Sequence, residues 1–153
     1  MDREQRVLHL LGEARYVQLT TFRRDGRGVP TPVWVVREGD ELLAFTGAHS
    51  GKVKRLRRDD HVLLVPCSAL GRPLGRPVDA RARLLPASEG PRVEAAVRGK
   101  YGRQVTGALL VEHLSQRMRK QTDRRRLRDV PAAVQERAYL AVRLEPSAGG
   151  TAG

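Results

Sequence analysis

The residues best suited to chemistry lie in the stretch TGAHSGKVKRLRRDD, from Thr46 to Asp60. The segment ELLAFT before it alternates like a strand, and the residues after Ser50 read as a short, very basic helix. The first N–H groups of a helix have no partner inside it, and they bind phosphate readily. Thr46 and Ser50 add hydroxyls, Gly51 permits close approach, and Lys52 adds a charge. Arg55 follows one helical turn later and can reach the same point. A competing reading needs no ligand: Ser50 is an ordinary N-cap, and the cations only solvate a helix face.

A second place is VPTPVWVV. Pro30 and Pro32 fall on one face of a strand, and neither has an N–H to offer a neighbour. That suits a sheet edge, or a position where a ligand stands in for a partner strand. Trp34, the one tryptophan, follows directly. It reads either as a core residue or as a ring beside a planar ligand, with Thr31, Pro32 and Val33 leading to it. A third place is Lys100-Tyr101-Gly102, a cation and an aromatic at a helix break. The block from Arg117 to Arg128 is a fourth, either a solvated face or a dock for a polyanion.

No familiar catalytic set accompanies these residues. His9, His49, His61 and His113 have no metal-type spacing, so no metal site is expected. His49 alone sits in a loop beside the basic helix, where it could meet a ligand. Cys67 ends an apolar strand and reads as a buried, inert thiol. G-x-S-x-G, Walker and G-x-G-x-x-G motifs are absent. No catalytic side chain is identified, so an enzyme built on this chain relies on a cofactor for its reaction.

The elements that position these residues follow from periodicity. Asp2 to Ala14 is an amphipathic helix with Val7, Leu8, Leu10 and Leu11 as its stripe and Asp2 as its cap; Gly12 weakens its last turn. Tyr16 to Phe22 is a strand with Val17, Leu19 and Thr21 on one face. Asp25-Gly26 makes a hairpin turn. Val29 to Val36 and Glu41 to Thr46 continue the meander. HVLLVPC, from His61 to Cys67, reads as a central strand covered on both faces. SALGRPLGRP is a loop, and Val78 to Leu84 alternates again. Ser88 caps a helix carrying Val93, Ala96 and Val97, and a second helix runs from Thr106 into the basic block. Ala138 to Leu144 is the last strand. The order predicts an α+β chain, an antiparallel barrel flanked by helices. Residues 1–146 form one domain, and 147–153 form a flexible tail.

Composition bounds the function. The chain has 153 residues and a net charge of +12, from 29 Lys+Arg against 17 Asp+Glu. Such a field draws anions, although a bias toward arginine accounts for part of it. One Trp, three Tyr and two Phe are not interleaved with the basic block as stacking platforms. That argues against a nucleic-acid-binding protein. No apolar run approaches the roughly 20 residues of a membrane span. A single cysteine and a charged start predict a cytoplasmic protein with no membrane partner.

Taken together, YVQLTTFRRDGRGVPTPVWVV, ELLAFTGAHSGKVKRLRRDDHVLLVPC and KYG are similar to a known family. The chain resembles the pyridoxamine-phosphate-oxidase-like split β-barrel proteins, and among them the coenzyme F420-dependent oxidoreductases. The resemblance covers Tyr16 to Leu85 and returns at the last strand. It implies a six-stranded FMN-binding split barrel and a homodimer with cofactor sites at the interface. It also implies a phosphate held by Thr46, Ser50, Gly51 and Lys52 with Arg55 nearby, and a ring system along Thr31, Pro32, Val33 and Trp34. Hydride then passes between the deazaflavin and a small organic substrate. Flavin mononucleotide (FMN) is the alternative cofactor, and cofactor carriage without turnover is the alternative role. The oxidases have R-x-V-L-L-K and S-R-K where this chain has VPTPVW and SGK, which favours the deazaflavin branch. Its coenzyme carries a phosphodiester and a polyglutamate tail, in keeping with the charge. Heme-binding relatives also exist, but no convincing axial histidine stands out.

Overall fold

The computed structural model describes residues 2–102 and 136–146. The helix expected from Thr106, the basic block 117–128 and the tail 147–153 lie outside the described residues. Helix α1 spans Arg3–Glu13, and the Asp2 carboxylate accepts from the Gln5 N–H at 2.8 Å as its cap. Leu8 and Leu11 are buried, while Leu10 of the expected stripe is 63% exposed. Gly12 has a packing role beyond its poor helix propensity. A Cβ there would stand 2.9 Å from the Arg37 Cβ, so the glycine lets the helix settle on the neighbouring strand.

Strands β1 (Tyr16–Phe22), β2 (Gly28–Val33), β3 (Val35–Glu38) and β4 (Glu41–Gly47) follow. Helix α2 (Gly51–Arg58), strands β5 (His61–Cys67) and β6 (Val78–Leu85), helix α3 (Gly90–Tyr101) and strand β7 (Arg137–Leu144) complete the described chain. All pairings are antiparallel, in the order β2-β1-β5-β6-β7-β4-β3. The single strand expected over Val29–Val36 is two strands, which makes seven in place of six. The break at Trp34 has a topological cause. β2 pairs with β1 at one edge of the sheet and β3 with β4 at the other. One residue joins the two edges, so the sheet must roll up on itself without closing: a split barrel.

Two cores result. The inner one gathers Val17, Leu19, Val33, Val35, Leu42, Leu64, Leu140 and Val142 from the strands, with Leu8, Leu11 and Leu56 from helices. The outer one lies under α3 and joins Val93, Val97 and Tyr101 to Leu43 and Ala141. Each large buried aliphatic contributes about 1.5–3 kcal/mol relative to exposure. β5 is internal to the sheet as expected, but its burial alternates, and Leu63 and Pro66 are only half covered. A 3₁₀ turn at Ala87–Glu89 precedes α3, so Glu89 and not Ser88 occupies its N-cap. Helix α2 packs against β1, β4 and β6, strands that are not neighbours in the sheet. Val53 and Leu56, three residues apart, are its buried anchors. It therefore plugs one end of the barrel and brings its own start against the strand ends.

Candidate functional site: the start of helix α2

β4 ends at Gly47, and the chain turns sharply, with the Ser50 N–H donating to the Gly47 carbonyl at 3.1 Å. This turn sets Ser50, Gly51 and Lys52 a few residues beyond Thr46 at the end of β4. Ser50 occupies the N-cap position with extended backbone, but its side chain does not cap the helix. Its Oγ is buried and finds no hydrogen-bond partner among the described residues. The ordinary-cap reading is therefore not realised. A buried hydroxyl left unpaired costs about 1–3 kcal/mol, so Ser50 Oγ carries an unmet need for a partner at the start of α2. Thr46 lies on the inner face of β4 with Leu42 and Ala44 and is 7% exposed.

Arg55 completes the group from the next turn of α2. Its Nε–H donates to the Thr21 Oγ1 at 2.6 Å. Its Nη1 lies 2.7 Å from where a Cβ on Gly51 would stand, so the guanidinium folds back over the first residue of the helix. Burial lowers its pKa from the usual arginine value, and Arg23 and Arg58 nearby lower it further. Arg58 donates to the Phe22 carbonyl at 2.6 Å. Among the described residues, none of these three cations has a carboxylate partner. Converging positive charge without an anion is unfavourable by itself. Thr21 was not singled out in the sequence. The available signal was a hydroxyl in the inward series Val17, Leu19, Thr21.

The second predicted set lies on β2, an edge strand, as its prolines suggested. Thr31 is opposite Leu19 and Val33 opposite Val17, so both turn toward the inner face. Thr31 Oγ1 donates to the Leu19 carbonyl at 3.4 Å. Pro32 turns the other way and is exposed. The loop after β5 folds against it: a Cβ on Gly71 would stand 3.4 Å from the Pro32 Cγ, and the Gln18 amide donates to the Gly71 carbonyl at 2.9 Å. Trp34 stacks on Tyr101 with centroids 5.0 Å apart and planes 22° from parallel. It is half-buried and packs beside the outer core.

Lys100 and Tyr101 tie this break in place. The Lys100 ammonium donates to the Ala14 and Val35 carbonyls, both at 2.7 Å, and lies 4.8 Å from the Tyr101 ring centroid. The Tyr101 hydroxyl donates to the Arg15 carbonyl at 2.9 Å and accepts from the Val35 N–H at 3.2 Å. Burial lowers Lys100 to about 8 and raises Tyr101 to about 12. These residues fasten the end of α3 to the β2–β3 break. The remaining candidates are accounted for locally. His49 pairs with Glu136 at 2.9 Å and His61 with Asp79 at 2.8 Å. Cys67 is buried, which pushes its thiol pKa up. No group of three potential metal ligands occurs among the described residues, and no described helix is long and apolar enough to cross a membrane.

A split barrel plugged by a short basic helix, with an open helix start beside the strand ends, defines the class of protein. The family model for pyridoxamine 5'-phosphate oxidase matches residues 4–138, and the chain belongs to that family. Comparison with curated proteins returns no match. Among solved structures, an F420 reductase is similar at TM-score 0.55 and 18% identity, covering 90% of this chain and 92% of its own. An FAD-binding protein from Mesorhizobium loti is similar at TM-score 0.53 and 15% identity, over 95% of this chain and 91% of its own. HutZ, a heme storage protein from Vibrio cholerae, is similar at TM-score 0.53 and 16% identity, over 97% and 93%. At these identities the likeness establishes the shared fold.

Proposed function

We propose that the protein is an oxidoreductase passing a hydride between coenzyme F420 and a small organic substrate, with the cofactor at a homodimer interface. One observation carries the reading: an unpartnered buried Ser50 hydroxyl at the start of α2, under an Arg55 fork with no carboxylate partner among the described residues. A phosphate oxygen satisfies both. Thr46, Ser50, Gly51, Lys52 and Arg55 hold that phosphate, and the ring system lies along Thr31, Pro32, Val33 and Trp34. When bound, the deazaflavin supplies the hydride chemistry. The chain's own residues bind it, orient it and exclude water. The loop against Pro32, with Leu70 95% and Leu74 66% exposed, offers apolar surface to the substrate. The segment SGK, the edge strand VPTPVW and the charge of +12 support the deazaflavin over a flavin. The FAD-binding neighbour supports a flavin as the second reading, with FMN as the flavin the resemblance implies.

The absorption spectrum of the purified protein, followed by titration with coenzyme F420 and with FMN, tests this directly. The single Trp34 is a built-in fluorescent reporter for both titrations. Expected are micromolar or tighter binding of coenzyme F420, and a loss of about 10- to 150-fold on Lys52→Ala, the worth of a charge-assisted bond to phosphate. Tight binding of FMN with none of the deazaflavin would replace this reading by the flavin one. Bound coenzyme that no electron acceptor or donor ever bleaches or restores would leave a carrier in place of an enzyme.

A further inference from the structure

Thr21 and Thr46 are the buried polar residues among the described ones, and Thr21 is fully buried. It lies opposite Val29 on the inner face of β1, the face that carries Val17 and Leu19. A threonine there needs a partner, and it takes one on another element, the Arg55 Nε–H at 2.6 Å. A guanidinium has one Nε–H and four Nη–H groups in a rigid plane. Fixing the Nε–H therefore fixes the direction of the other four. Here the Nη1 end lies over Gly51, 2.7 Å from where a Cβ would stand, next in sequence to Ser50, whose hydroxyl has no partner among the described residues. Without Thr21, Arg23 and Arg58 would push the Arg55 charge outward, because like charges disfavour the inward position.

We infer that Thr21 is a positioning residue for anion recognition: it holds the Arg55 fork over the start of α2, so that the Nη groups and not Nε meet a phosphate. It touches Arg55 and not the ligand. This inference rests on the proposed phosphate site but not on which cofactor brings the phosphate. It predicts that the hydroxyl matters and the side-chain shape does not. Thr21→Val keeps the volume and removes the acceptor, whereas Thr21→Ser keeps the acceptor and removes a methyl. Thermal melts of both variants report whether the barrel remains folded.

The test has two arms, both on the full chain. In the first, inorganic phosphate is titrated and the Arg55 Nε–H resonance is followed by ¹⁵N NMR. The wild type is expected to show a distinct, slowly exchanging Nε–H that shifts with phosphate. Thr21→Val loses that protection and about tenfold in phosphate affinity, and Thr21→Ser retains both. In the second, coenzyme F420 is compared with its phosphate-free chromophore. Thr21→Val should weaken only the phosphorylated form, and Arg55→Ala combined with Thr21→Val should be no worse than Arg55→Ala alone. A positive phosphate arm with no coenzyme binding overturns the cofactor reading and leaves the role of Thr21 intact. Equal losses for both chromophores, no loss at all, or additive effects of the two substitutions overturn the role of Thr21. So does a wild type whose Arg55 signal ignores phosphate.

Discussion

Gly51 and Arg55 occupy the same few ångströms, and this makes Gly51 a sensitive position. A Cβ there would stand 2.7 Å from the Arg55 Nη1, and the atom in the way is the far end of a flexible side chain. The fold can accommodate the change by moving the guanidinium, but the site cannot. Gly51→Ala is thus expected to leave stability unchanged or raise it by up to about 1 kcal/mol, since alanine favours a helix. Phosphate affinity should fall about tenfold over the same change, because a charge-assisted bond loses its geometry. Denaturant unfolding and a cofactor titration on one variant check both halves. A destabilised variant with normal affinity would show that Gly51 serves the helix and not the ligand. The sequence already pointed to Ser50, Gly51, Lys52 and Arg55. It could not show that the Ser50 hydroxyl is buried and unpaired, because that depends on which strands α2 lands upon.

At the scale of elements, the junction of α3 with the β2–β3 break makes a pH-dependent contribution. Burial lowers Lys100 from 10.5 to about 8, against the smaller opposing effect of Glu13, and raises Tyr101 from 10.0 to about 12. Below about 8, Lys100 is protonated both folded and unfolded, and the cost of burying its charge is present in full. Between about 8 and 10.5 the unfolded chain keeps a proton that the folded chain has released, so stability rises with pH. Tyr101 acts in the other direction. From 10.0 up to about 12 the unfolded phenol ionises while the folded one does not, and stability falls. Urea unfolding of the wild type should show a gain from about pH 8 to 10 that reverses above it. Lys100→Met should lack the rising limb and Tyr101→Phe the falling one. The KYG sequence marked this place as a candidate ligand contact, a cation and an aromatic at a helix break. Its contacts instead run to the Ala14, Arg15 and Val35 backbones, on segments far away along the chain.

At the scale of the whole molecule, two features make predictions about assembly and charge. If the cofactor sits at a homodimer interface, as proposed above, sedimentation equilibrium should give twice the chain mass at micromolar concentration. A strictly monomeric species that still binds cofactor would remove the interface from the proposal. Arg23, Arg55 and Arg58, without a carboxylate partner among the described residues and on a chain of net charge +12, should make coenzyme binding depend on salt. Exposed charges are screened beyond about 8 Å at physiological ionic strength, and half-buried ones far less. Raising salt should therefore weaken a long-tailed coenzyme more than a tail-less one. Equal salt dependence for both would argue that the tail meets no cationic surface.

Local chemistry by itself determined the parts of this protein. Asp2 as a cap, Asp25-Gly26 as a turn, the alternation of β1 and β6, and the apolar run of β5 all depend on neighbours a few residues away, so they were readable in order. The run from Thr46 to Lys52 is equally local, and its reading as a phosphate clamp stands as the proposal made above. Only the tertiary structure decided that the segment through Trp34 is two strands, because the break exists to join the two edges of a rolled sheet. It also decided that Thr21, a residue like any other in the strand pattern, meets Arg55. Their separation in sequence is 34 residues, and nothing short of the packing of α2 on the barrel brings a hydroxyl and a guanidinium together over that distance.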